Sequence, residues 1–221
     1  MSLSNMQPRS FSVLMAAIVT VTGGILSATT PVQAQQLLQE QGSLQPMQQA
    51  HTFSGKAGEA VTISLGSSDF DTYMVLVDPS GQEIASNDDY ARTMNSTIVI
   101  TLPQDGEYKV LARSFSGAGG QYSVNVQPAT AFDQAYWKGV QLYSQGKFQE
   151  AEVLLTQAIE LDPSQPAPYL DRAEVAYAQG NLSSVLADYQ EAATLYERAG
   201  NQKAAQDIRA QITVLQGQVT P

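Results

Sequence analysis

Cysteine is absent from the 221 residues, histidine occurs once, as His51, and tryptophan once, as Trp137. Without cysteine there are no disulfides, no thiolate metal site, no cysteine nucleophile and no lipid anchor on Cys. A lone histidine leaves little room for nucleophilic hydrolysis, because a serine hydroxyl needs a base within hydrogen-bond reach. No G-x-S-x-G elbow occurs, and His51 sits at the edge of a predicted strand, where it reads as an ordinary surface or edge residue. Phosphate-cradling motifs are missing too. The glycines of "SGAGG" (116–120) lie between two strand patterns with no helix and no Lys-Ser/Thr after them, so the segment reads as a hairpin.

Basic residues are scarce: 11 Lys and Arg stand against 21 Asp and Glu, a formal charge of −10. Residues 35–130 carry 10 acids against 4 basic residues, and residues 131–221 carry 11 against 6. A field of this sign in both halves repels phosphate backbones and anionic lipid, which argues against nucleic acid and a peripheral membrane surface as partners. Long apolar runs are limited to one. Arg9 is the only charge before Glu40, an apolar stretch follows from Phe11 to Leu26, and "TPVQAQQ" offers Val32 and Ala34 as small residues. This is the pattern of a secretory signal over residues 1–34, cleaved after Ala34. The run is interrupted by "TVTGG" and is shorter than the roughly 20 residues a span requires. The expected mature chain is therefore exported, periplasmic or extracellular, with no membrane span.

Two periodicities divide what remains. Before about residue 130 the period is two: "AVTISLG" (60–66), "TYMVLVD" (72–78), "STIVITL" (96–102), "EYKVLARS" (107–114) and "QYSVNVQ" (121–127). These β-branched and aromatic runs are separated by "DPSG", "PQDG" and "SGAGG", which reverse the chain, and together they predict a β-sandwich or small barrel. After residue 130 the pattern is helical and repeats at a shift of 34: Tyr143 with Tyr177, Gly146 with Gly180, Phe148 with Leu182, Leu155 with Tyr189, Ala158 with Ala192. That period is the mark of helix-turn-helix repeats. Residues 201–217 place Ala204, Ala205, Ile208, Ile212 and Leu215 at helical spacing, as a capping helix would.

The repeats resemble the tetratricopeptide family, whose small, turn and proline positions are met in the first copy by Gly139, Gly146, Ala151, Ala158 and Pro163. The second copy has Tyr169, Ala173, Gly180, Tyr189 and Ala192, but carries Val185 where a small residue is usual, which predicts looser or shifted packing there. The β half resembles the bacterial pre-peptidase C-terminal domain over about residues 38–128, through "F.G.AGE.VTI", "DFDTYMVLVDPSG", "NDD", "DGEY.V" and "G.YSV". That resemblance implies a secreted, jelly-roll-like all-β sandwich that serves as an accessory module, in some members calcium-dependent or substrate-binding. The domain reading is thus a signal (1–34), a sandwich (35–128), a linker (129–134), and an all-α array of two repeats plus a cap (135–217). Two repeats are fewer than the three or so usually needed for stability, so the array is expected to lean on the sandwich, on another copy or on a partner.

Two groups of side chains are candidates for function. In the first, Asp69 and Asp71 precede one strand while Asn87, Asp88 and Asp89 follow the next. A hairpin about "DPSG" brings both acidic groups to one end of the sandwich and leaves Asp78 at the other. Two readings stay open: the acids shape turns as Asx caps, or they hold calcium, which takes six to eight oxygens and needs neither His nor Cys. The spacing is not that of an EF-hand. In the second group, the tetratricopeptide resemblance places Tyr136, Val140, Tyr143, Leu170, Glu174 and Tyr177 on a concave face, where aromatics anchor an extended peptide or a partner helix. The function expected is a non-enzymatic adaptor for a protein or peptide in the envelope. The alternatives are a calcium-dependent module for cell-wall or secreted polymer and a hydrolase using paired carboxylates, which normally needs a deep cleft on a larger fold.

Overall fold

The computed structural model describes residues 37–44 and 48–219, so the expected signal at 1–34 lies outside the described residues. The chain divides into two compact units at Pro128/Ala129. In the first, β1 (Leu38–Leu44), β2 (Gln49–Gly55), β3 (Ala60–Gly66), β4 (Thr72–Val77), β5 (Glu83–Asn87), β6 (Ser96–Thr101), β7 (Gly106–Ser114) and β8 (Gly120–Pro128) form two antiparallel sheets. Their orders are β1-β8-β3-β6 and β2-β7-β4-β5, the jelly-roll arrangement in which every connection except the β4–β5 hairpin crosses from one sheet to the other.

The period-two runs explain this sandwich. Ile63, Leu65, Met74, Leu76, Val110, Val124 and Val126 are fully buried between the sheets, and each is worth about 1.5–3 kcal/mol of transfer free energy. Tyr108 is buried with them, and its hydroxyl donates to the carbonyl of Gln104 at 2.6 Å. The edge strands β1 and β2 lack a β-branched alternating run and become strands through pairing with β8 and β7. Between those edges, His51 Nδ1 lies 2.5 Å from Glu40 Oε2, and its Nε2 lies 2.8 Å from the Tyr122 hydroxyl.

The second unit is five helices: α1 (Ala131–Ser144), α2 (Phe148–Leu161), α3 (Pro166–Ala178), α4 (Leu182–Arg198) and α5 (Gln202–Val219). Helix α1 begins inside the stretch expected to be a linker. Thr130 accepts from the Asp133 N–H at 3.0 Å, while Asp133 Oδ2 accepts from the Thr130 N–H at 3.0 Å, a capping box that starts the helix at Ala131. The small repeat positions have a steric cause. A Cβ on Gly139 would stand 3.0 Å from Leu155 Cγ, so a larger residue there would have to push α2 back by a few tenths of an ångström. Packing at Val185 is not loose: the side chain is 1 % exposed, in a cluster with Ala173, Ala176 and Leu215 of the capping helix.

Candidate functional site

The β4–β5 register pairs Met74 with Asn87 and Val77 with Glu83, so the start of β4 lies beside the end of β5. Asp78 is therefore at the turn. Its Oδ1 accepts from the Ser80 N–H (2.9 Å), the Ser80 hydroxyl (2.6 Å) and the Gln82 N–H (2.9 Å), and its Oδ2 from Gln104 Nε2 (3.1 Å). These donors, the Ser80 hydroxyl first, hold the carboxyl below the usual carboxylate range.

At the opposite end the acids do not act as one group. Asp69 Oδ2 accepts from the Gln121 N–H at 2.7 Å, which fastens its loop to β8. The fit is tight: a Cβ on Gly120 would stand 2.4 Å from Asp69 Cβ. Asn87 Oδ1 accepts from the Thr97 N–H (2.9 Å) and its Nδ2 donates to the Asp89 carbonyl (3.0 Å), so this side chain joins β5 to the edge of β6. Asp88 Oδ1 accepts from the Asp89 N–H at 2.8 Å, and the Asp88 carbonyl accepts from the Ser96 hydroxyl at 2.9 Å.

Asp71 and Asp89 differ from these. Burial raises the Asp71 carboxyl, and the Asp88 charge raises it further; burial raises Asp89, with Asp71 and then Asp88 adding to it. Asp71 Oδ1 is buried with no hydrogen-bond partner among the described residues. The fold thus gathers Asp71, Asp88 and Asp89 into mutual repulsion, while Asp69 and Asn87 spend their oxygens on backbone N–H groups. Among the described residues no three His, Cys, Asp or Glu side chains stand together as metal ligands. The oxygens expected for calcium thus divide between those that accept from the loop backbone and those of carboxyls that face one another.

Sequence reasoning overlooked three features of the same end. Phe115 is 65 % exposed and Met94 is 40 % exposed; Phe115 opens the segment expected as a hairpin, which instead carries the chain from β7 in one sheet to β8 in the other, because those strands pair with β2 and β4 and with β1 and β3. Ala91 (φ 51°) and Arg92 (φ 62°) are both left-handed, in a turn closed by the Thr93 N–H to the Tyr90 carbonyl at 3.0 Å. No glycine marks that turn, so only the phenylalanine within "SFSGAGG" was a visible signal.

The six residues assigned to the helical face separate as well. Tyr136 is buried at 1 % exposure, its hydroxyl donating to Asp171 Oδ2 at 2.5 Å so that α1 is tied to α3. Leu170 is buried at 6 %. Val140, Glu174 and Tyr143 are half-buried, Tyr143 with its ring 5.9 Å from that of Phe148, and Tyr177 is 42 % exposed. Two of the six therefore belong to the packing of the array, and four reach its surface.

Comparison with known proteins follows the two units. Residues 49–114 match the bacterial pre-peptidase C-terminal domain, and residues 139–180 match a TPR repeat. No curated protein matches the chain. Among solved structures, PliG of Aeromonas hydrophila, a periplasmic inhibitor of g-type lysozyme, is 20 % identical over 46 % of this chain and 93 % of its own, with a TM-score of 0.37. The pre-peptidase C-terminal domain of Bacillus anthracis collagenase is 17 % identical over 41 % of this chain and 88 % of its own, with a TM-score of 0.36. PliG of Salmonella Typhimurium is 18 % identical over 41 % of this chain and 89 % of its own, with a TM-score of 0.31.

Proposed function

From a chain in which a pre-peptidase C-terminal domain precedes a TPR repeat, we propose an exported, non-catalytic adaptor that holds a protein or peptide partner in the cell envelope. The observation that carries this is the pair Tyr143 and Tyr177, at equivalent stations of α1 and α3. The helical core leaves both at its surface, Tyr177 at 42 % exposure, although Tyr136 and Leu170 of the same stripes are buried. Aromatic side chains held on rigid helices anchor a peptide at low entropic cost. Export draws on the apolar run Phe11–Leu26 and the small residues Val32 and Ala34. The non-catalytic reading draws on the single histidine, His51, whose ring nitrogens meet Glu40 and the phenol of Tyr122 rather than a serine hydroxyl.

The test is capture from the organism's own envelope fraction by the chain lacking residues 1–34, with and without chelator. Changing Tyr143 and Tyr177 to Ala is expected to abolish retention of a partner that the unaltered chain holds. Equal retention by the double variant overturns the helical-face reading. Loss on chelation alone moves binding to the sandwich and restores the calcium-dependent alternative.

A further inference from the structure

Three loops finish at the same end of the sandwich: 67–71 after β3, 88–95 after β5 and 115–119 after β7. They are stitched into one surface. The Phe115 N–H donates to the Asp71 carbonyl (2.9 Å) and the Thr72 N–H to the Met94 carbonyl (3.0 Å). Ser67 joins the rest, its N–H donating to Asn95 Oδ1 (3.1 Å) and its hydroxyl to the Gln121 carbonyl (2.7 Å). A surface fixed in this way loses little entropy when it is covered.

Its chemistry is mixed in a particular way. Phe70, in the first loop, is buried at 8 % exposure, yet Phe115 is held out at 65 % and Met94 at 40 %. The same three loops carry Asp69, Asp71, Asp88 and Asp89, against Arg92 as their one basic residue. A partner that covers the two apolar side chains must also come close to these carboxylates. Phosphate groups and anionic lipid are repelled, and a neutral apolar surface desolvates four acids against the single charge of Arg92.

We propose that this loop end docks a basic protein surface, whose Lys or Arg side chains pair with Asp71, Asp88 and Asp89 while its apolar side chains pack on Phe115 and Met94. The proposal shares with the adaptor reading only the claim that the partner is a protein, and it uses a different face. Burial and mutual repulsion hold Asp71 and Asp89 above the usual carboxylate range, so a neighbouring cation drives both to ionise. Binding is then accompanied by proton release wherever these carboxyls are partly protonated.

Isothermal titration of the chain lacking residues 1–34 tests it, with a short peptide in which Lys alternates with Leu, and with polylysine of equal charge as a second probe. The Lys-Leu peptide is expected to bind more tightly than polylysine, and Phe115→Ser to remove that preference. Asp71→Asn with Asp89→Asn is expected to weaken the Lys-Leu peptide by about tenfold. Glu83→Gln with Glu107→Gln removes the same charge from exposed side chains elsewhere on the sandwich and is expected to change binding by less than about twofold. Equal weakening by the two double variants, or equal affinity for the two probes, means that bulk charge alone acts and overturns the proposal. A rise in melting temperature at about 1 mM calcium, together with loss of peptide binding, assigns the acids to a metal and overturns it too. Tyr143→Ala with Tyr177→Ala is expected to leave this binding unchanged, so failure of the helical-face reading is seen separately.

Discussion

Asp78 and Asp162 each open the tripeptide Asp-Pro-Ser, one between two strands and the other just past a helix. In both, Oδ1 accepts from the serine N–H and hydroxyl, at 2.9 and 2.6 Å for Ser80 and at 3.0 and 2.6 Å for Ser164. The tripeptide sets its own turn whatever element it adjoins, which is why these positions are readable from sequence. The serine hydroxyl is also the first cause holding both carboxyls low, so each contributes stability that is lost as pH falls through its folded value. Asp71 and Asp89 act in the opposite sense. Their carboxyls are raised, the folded state holds their protons more tightly than the unfolded chain, and each opposes folding once ionised. Asp71→Asn is therefore expected to raise the melting temperature near about pH 7, with the gain shrinking as pH falls through the folded value of Asp71 and gone well below about pH 4, where aspartate is neutral in both states. A gain that persists undiminished in acid shows a packing effect instead. Nothing in the string "DFD" separates Asp69 from Asp71. The separation comes from Gln121, 52 residues on, whose N–H takes the first carboxylate and leaves the second to face Asp88 and Asp89.

At the scale of elements, the helix ends repeat more faithfully than the helix faces. Gly146, Gly180 and Gly200 are left-handed at φ 73°, 76° and 78°, each followed by an N–H that reaches five residues back: Lys147 to Leu142, Asn181 to Ala176, Asn201 to Tyr196. This is the Schellman closure, and glycine meets its φ at least cost, so the turns of the array were legible from the Gly spacing alone. The polar lock beneath them was not. Arg172 on α3 reaches α4 through Asp188, with Nε at 3.0 Å from Oδ2 and one Nη at 2.7 Å from Oδ1, and reaches α2 through Thr156 Oγ1 at 3.0 Å. The Asp188 side chain is 8 % exposed and that of Arg172 is 23 % exposed, so removing one partner leaves a charge uncompensated away from water. Asp188→Ala is expected to cost about 3–5 kcal/mol in urea unfolding followed by helical circular dichroism. Replacing both Arg172 and Asp188 with apolar residues of similar volume is expected to recover most of that loss. No recovery in the double variant shows that the aspartate matters for some other contact.

Over the whole molecule, one sign of charge prevails in both units, and this holds whichever way the chain folds, because formal charge is a property of composition. The chain is accordingly expected not to retard duplex DNA at about 0.15 M salt; retardation there points to a local basic patch strong enough to override the net field. Composition and local pattern also determined the change from a period of two to a period of 3.6 near residue 130, the hairpin about Asp78 and the 34-residue repeat. These are short-range signals, carried by side-chain spacing and turn chemistry within a few residues of one another. Long-range partners decided the rest. β1 and β2 are strands because β8 and β7 pair with them, whereas the start of α1 inside the expected linker is itself a local signal, the capping box between Thr130 and Asp133 three residues apart. Tyr136 is covered, its hydroxyl donating to Asp171, 35 residues away, while Tyr177 stays exposed. Periodicity states which residues share a stripe. Which members of the stripe are covered depends on what the rest of the chain brings against it, and that is settled only when the tertiary structure forms.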